Sequence, residues 1–141
     1  MTRRDLRVGV IGLGALGLPM AANLRRAGLS LRVHTRSRRP EPDPSLQGSI
    51  ACATPAEAAE GVDVLLVCVS DNAAVEAVLF GAHGASGQLA AGSVVVDCST
   101  IAPATATALA QRLAGQGVDY VDAPVTGGTT VSVAAEIVLA I

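Results

Sequence analysis

The chain has 141 residues, half of them hydrophobic and 16% charged, which is about one domain and enough to bury a sizeable core. All ten basic residues are Arg, so a Lys general acid/base, a Schiff-base Lys and a phosphate-binding Walker Lys are excluded from this chain. Residues 1–39 hold nine Arg against the single acid Asp5, a charge of +8, while residues 40–141 set Arg112 against eleven acids, a charge of −10.

The first elements follow from apolar spacing. Residues 6–11 (L-R-V-G-V-I) form a short apolar run ending at glycines, which predicts a strand. Apolar residues at 16, 20, 24 and 27 predict a helix over 16–27, stopped by Gly28. Residues 29–34 predict a second strand. Pro40, Pro42 and Pro44 then mark residues 36–48 as a surface loop without regular structure. Residues 49–53 suit a short strand.

Thr54-Pro55-Ala56-Glu57 is a capping box with Pro at the first helical position, and Gly61 ends the helix it opens. Residues 62–69 (V-D-V-L-L-V-C-V) have the nearly continuous β-branched pattern of a strand covered on both faces. A helix over 71–80, a strand over 93–98, an Ala-rich helix over 103–115 and strands over 118–122 and 136–141 complete the chain. Alternating strands and helices predict a doubly wound, mostly parallel α/β sheet in a single domain over residues 1–141.

Some features exclude more than they assert. One Phe, one Tyr and no Trp leave almost nothing to stack bases, and no basic stripe continues past residue 39, which argues against nucleic acid. No apolar run reaches the roughly 18 residues of a membrane span. Cys52, Cys68 and Cys98 lie in apolar surroundings and suit buried, reduced thiols in a cytoplasmic protein. No His/Cys cluster supports a metal, and the isolated His34 and His83 are assigned no chemistry. Arg3 and Arg4 ahead of an apolar stretch superficially resemble a twin-arginine leader. Gly9, Gly12, Gly14, Gly17, Pro19 and Asn23 within that stretch fit a different pattern.

That pattern is Gly12-Leu13-Gly14-Ala15-Leu16-Gly17, a G-x-G-x-x-G directly after the first strand and opening the first helix. The first Gly permits a tight turn, the second lets backbone approach a pyrophosphate, and the third lets helix pack on strand. The helix amino terminus adds N–H groups and partial positive charge, so the site expected is that of a Rossmann dinucleotide domain. Its second strand ends in His34-Thr35-Arg36-Ser37-Arg38-Arg39, with no carboxylate before Glu41. An NAD site usually places Asp or Glu there, about 20 residues past the glycines, to hold the ribose 2′-OH. Guanidinium and hydroxyl groups instead favour a 2′-phosphate, so NADP is expected and NAD is the lesser alternative. A merely solvated basic loop is the competing explanation.

Residues 12–24 (G-L-G-A-L-G-L-P-M-A-A-N-L) resemble the amino-terminal signature of the β-hydroxyacid dehydrogenases, which include 3-hydroxyisobutyrate dehydrogenase and 6-phosphogluconate dehydrogenase. Four further blocks follow in that family's order. Thr35-Arg36-Ser37 resembles its NADP-type turn. Val69-Ser70-Asp71 resembles the loop passing the ribose and diphosphate. Asp97-Cys98-Ser99-Thr100 resembles the stretch that places a Thr near the nicotinamide. Asp122-Ala123-Pro124-Val125-Thr126-Gly127-Gly128 resembles the substrate turn, whose Thr126, Gly127 and Gly128 would bind a substrate carboxylate. On the residues alone, the competing explanations are a helix cap for Ser70 and ordinary turns for Thr100 and for Thr126-Gly127-Gly128.

The resemblance implies hydride transfer between NADP and a small hydroxyacid, with a Lys as general acid/base in an all-helical second domain. Neither that Lys nor the domain is in this sequence, so no catalytic residue is assigned and the chain alone is expected to be inactive. Leu16, Thr35 and Thr126 depart slightly from the family's usual residues, and residues 129–141 lack its expected glycines. Apolar surface left open, including residues 136–141, leads us to expect self-association. Two other readings remain: a free-standing dinucleotide-binding module, and the cofactor domain of an imine reductase, against which the 122–128 turn argues.

Overall fold

The computed structural model describes residues 6–36 and 43–124. Ser37, Arg38, Arg39, Thr126, Gly127, Gly128 and the strand expected at residues 136–141 lie outside the described residues.

The described residues form six strands and four helices: β1 (Arg7–Ile11), α1 (Gly17–Arg26), β2 (Ser30–His34), β3 (Ile50–Ala51), α2 (Pro55–Ala59), β4 (Val64–Val67), α3 (Asn72–Phe80), β5 (Val94–Asp97), α4 (Pro103–Ala114) and β6 (Asp119–Asp122). The strands form one sheet in the order β3-β2-β1-β4-β5-β6, and every recorded pairing is parallel. This is the doubly wound Rossmann order, with the strand sequence reversing direction beside β1.

Alternation along the strands feeds two cores. Val8 and Val10 of β1, Val64 and Leu66 of β4 and Val96 of β5 pack with Met20 and Leu24 of α1 on one face. Ile11, Leu65, Val67 and Val95 pack with Val75 and Leu79 of α3 and Leu109 and Leu113 of α4 on the other. A strand buried on both faces has no polar side to alternate, which is why residues 62–69 read as a nearly continuous apolar run.

Local chemistry sets the helix ends. Thr54 Oγ1 accepts the Glu57 N–H at 3.2 Å, and Glu57 Oε2 reaches back to the Ala53 N–H at 2.9 Å, one residue before the strict capping-box partner. The strand expected over 62–69 is confined to Val64–Val67, because the chain beyond turns into the loop that carries Val69 and Ser70. The proline-rich loop also departs from expectation, since Pro44–Leu46 form a 3-10 turn. Asp43 Oδ1 accepts from both the Ser45 N–H (2.9 Å) and hydroxyl (2.6 Å), and Leu46 is buried against the first core, so local caps order what the prolines deny to an α-helix. A second 3-10 turn, Ser86–Gln88, has no counterpart in the sequence reading.

Candidate dinucleotide site

A cleft of about 480 Å³ opens over the carboxyl ends of β1, β2, β4 and β5, where doubly wound sheets bind ligands. Its wall contains Gly12, Leu13, Gly14, Ala15, Leu16 and Gly17, together with Thr35, Arg36, Val69, Ser70 and Thr100. Residues that the sequence places in four separate blocks therefore meet around one cavity.

The three glycines do different work. Gly12 has φ of +98°, and a Cβ there would run into the Cys68 carbonyl oxygen, so both conformation and space demand glycine. A Cβ on Gly17 would collide with the carbonyl oxygen of Gly12, which lets α1 start directly against the turn. At Gly14 a Cβ would meet no atom of the described residues within 4 Å, so none of them requires glycine here. The open space would admit a ligand backbone such as a diphosphate.

α1 begins at Gly17 with no side-chain cap at Leu16 and no acid in its first turn. Leu18 donates its N–H to the Gly14 carbonyl at 3.1 Å and Pro19 has none, so what α1 presents to the cleft is chiefly the positive end of its dipole, uncompensated by cap or acid. The open space at Gly14 and the helix terminus together fit a dinucleotide diphosphate.

The end of the second strand reaches the same cleft. Thr35 and Arg36 line the cleft, and no carboxylate does so among the described residues. His34, given no chemistry from sequence, also lines it. Its Nδ1 lies 3.1 Å from the carbonyl oxygen of Cys52, an acceptor only, so Nδ1 carries the proton. The signal was absent from local sequence because that partner lies 18 residues away on the chain beyond β3.

On the opposite wall the residues sort differently from expectation in one case. Ser70 and Val69 face the cleft, whereas Asp71 does not line it. Asp71 is the N-cap of α3, its Oδ1 accepting the Ala74 N–H at 2.8 Å. The helix-cap role that Ser70 alone suggested belongs to its neighbour.

Ser99, Cys68 and Cys98 are cleft residues the sequence reading left unassigned. Ser99 Oγ accepts the Val69 N–H at 2.9 Å, and Asp97 beneath it is fully buried. Burial pushes the Asp97 carboxyl above the usual aspartate range, partly offset by hydrogen bonds from Tyr120 and Ser99. Tyr120 is likewise pushed up, first by burial and then by its bond to Asp97. Burial raises both cleft thiols, Cys98 to about 12, with the neighbouring Cys68 and Asp97 adding to it. Cys52, Cys68 and Cys98 are all free. No helix among the described residues is long and apolar enough to cross a membrane.

Comparison with known proteins agrees with this geometry. Residues 7–140 match the family described as the NAD binding domain of 6-phosphogluconate dehydrogenase. L-threonate dehydrogenase of Cupriavidus necator is 42% identical over 137 residues, covering 94% of this chain and 44% of the relative. The crystal structure of 3-hydroxyisobutyrate dehydrogenase from Salmonella typhimurium superposes with a TM-score of 0.78 at 36% identity, over 94% of this chain and 45% of that one. A solved structure of Psf3 with NADP+ and 2-OPP gives the same TM-score at 37% identity, over 86% of this chain and 43% of that one. The chain thus spans less than half the length of these relatives. On fold, cleft and similarity alike, it belongs to the family of the NAD-binding domain of 6-phosphogluconate dehydrogenase.

Proposed function

We propose that this chain is the NADP(H)-binding part of an oxidoreductase acting on a small hydroxyacid. The observation that carries the cofactor choice is the end of β2, where Thr35 and Arg36 stand in the cleft wall and none of the described residues lining it is a carboxylate. A carboxylate would accept a ribose hydroxyl and repel a 2′-phosphate, whereas a guanidinium pairs with one. Ser37, just beyond the described residues, adds a second hydroxyl in sequence.

Each group has a task in this reading. Gly14 and the start of α1 receive the diphosphate, and Arg36 and Thr35 receive the 2′-phosphate. Val69, Ser70 and Thr100 flank the nicotinamide half. Thr126, Gly127 and Gly128 would take the substrate carboxylate. A bound nicotinamide supplies the hydride donor or acceptor. The hydroxyacid class rests on the relatives, which include an L-threonate dehydrogenase and a 3-hydroxyisobutyrate dehydrogenase.

Proton transfer to the substrate oxygen is a separate requirement. The Lys that the family resemblance implies for it is not among these 141 residues. We therefore assign cofactor binding to this chain and turnover to an assembly that includes a proton-transfer group. Titration with NADPH, followed by nicotinamide fluorescence, tests the first half, and no binding would overturn it. Incubation with NADP and L-threonate or 3-hydroxyisobutyrate tests the second. NADPH formation by the chain alone would contradict it.

A further inference from the structure

Asp97 ends β5 after three valines and has no solvent exposure. A buried carboxylate is costly unless its oxygens are satisfied, and here both are. Oδ1 accepts the backbone N–H of Ser99 at 3.0 Å, and Oδ2 accepts the hydroxyl of Tyr120 on β6 at 2.6 Å. Ser99, only 2% exposed, turns its Oγ to the backbone N–H of Val69 at 2.9 Å. Farther along the same two loops, Asn72 Oδ1 accepts the Ala102 N–H at 2.8 Å. The segment after β4 and the segment after β5 are tied to one another twice. Tyr120 fastens the pair to β6.

The other side of the cleft has its own anchors. Gly12 donates its N–H to the His34 carbonyl at 2.9 Å, and Cys68 donates to Ile11 at the same distance. Neither bond involves Asp97 or Ser99. The Cys68 bond reaches from the segment after β4 to the end of β1, whereas the Ser99–Val69 and Asn72–Ala102 bonds lie within the Val69–Thr100 wall and involve neither the glycine turn nor Arg36.

We infer that Asp97 and Ser99 are positioning residues that lock the loops carrying Val69, Ser70 and Thr100 into a single preformed wall for the nicotinamide half of the cofactor. Ser99 holds the Val69 backbone directly. Asp97 acts through Ser99 and Tyr120 and does not itself line the cleft. A wall ordered before binding spares the ligand the entropy of ordering it. This inference rests on the dinucleotide reading of the cleft.

The test uses Ser99→Ala and Tyr120→Phe, with Asp97→Asn as a third variant where it folds. Amide hydrogen exchange at Val69 is measured in the ligand-free chain, with Val10 as a core control. Affinities are measured for NADPH and for adenosine 2′,5′-bisphosphate, which carries only the half assigned to Arg36 and the glycine turn. Ser99→Ala should speed Val69 exchange about tenfold while Val10 is unmoved. It should weaken NADPH by about five- to tenfold and leave the bisphosphate within about twofold. Tyr120→Phe should move both readouts in the same direction by less. Equal losses for the two ligands would mean a merely structural role and overturn the inference. Wild-type binding with Val69 exchange unmoved by Ser99→Ala would overturn this inference alone. A wild-type chain that binds neither ligand would overturn the dinucleotide reading and this inference with it.

Discussion

The Tyr120 hydroxyl donates a 2.6 Å hydrogen bond to Oδ2 of Asp97, joining the last described strand to the carboxylate that ends β5. That single contact links three consecutive strands of the sheet, because Ser99 carries the connection on to the loop after β4. A hydrogen bond to a buried carboxylate is of the stronger kind, and losing it leaves a charged acceptor short of a partner. Tyr120→Phe should therefore cost about 1–3 kcal/mol of folding stability, read as a shift in denaturant midpoint at constant slope.

The pH dependence of Asp97 has a definite sign. Its folded-state pKa is raised, first by burial, so the folded chain keeps this proton at pH values where the unfolded chain has released it. The stability this provides is complete below the ordinary aspartate range near pH 4 and is lost as pH rises through the raised value. Unfolding free energies of wild type should fall relative to Asp97→Asn across that window. Parallel pH profiles for the two proteins would show that Asp97 does not titrate this way.

Gly14 and Gly12 should respond to the same substitution in opposite fashion. Gly12→Ala places a side chain at a φ of +98° against the Cys68 carbonyl and should destabilise by more than about 2 kcal/mol. Gly14→Ala meets no atom of the described residues within 4 Å, so stability should stay within about 0.5 kcal/mol. NADPH affinity of Gly14→Ala should nonetheless fall at least about tenfold, because the methyl occupies the diphosphate path. Unchanged affinity would remove Gly14 from the site.

Thiol chemistry offers an independent check on the cleft floor. With its pKa near 12, Cys98 is almost entirely protonated at pH 8, and the thiolate is the reactive form. Alkylation followed by peptide mass mapping should leave Cys98 unmodified over the time in which a free model thiol reacts completely. NADPH should further slow labelling of Cys68, which lines the same cleft. Rapid labelling of Cys98 would contradict its burial.

The alternation of strands and helices and the glycine turn were legible because each depends on short stretches of chain. Apolar runs mark strands, glycines at 12 and 17 mark a close approach, and a capping box marks α2. The cleft's second layer was not legible, because its bonds join residues far apart in sequence. Ser99 meets Val69 across 30 positions, and Tyr120 meets Asp97 across 23. His34 likewise shows its place only once β3 pairs beside β2 and brings the Cys52 carbonyl within reach. Between adjacent residues, polarity alone could not decide which of Ser70 and Asp71 caps α3 and which faces the cleft. The backbone turn decides it.

The preference for NADP rests on Arg36, which stands in the cleft wall at the end of β2. Fluorescence titration of the chain with NADPH and NADH, repeated for Arg36→Ala, tests it most directly. NADPH should bind at least about tenfold tighter than NADH. The substitution should weaken NADPH by about tenfold, ~1.4 kcal/mol, while leaving NADH nearly unchanged. Equal affinities for the two cofactors in the wild-type chain, or an NADPH preference untouched by Arg36→Ala, would contradict the role given to Arg36.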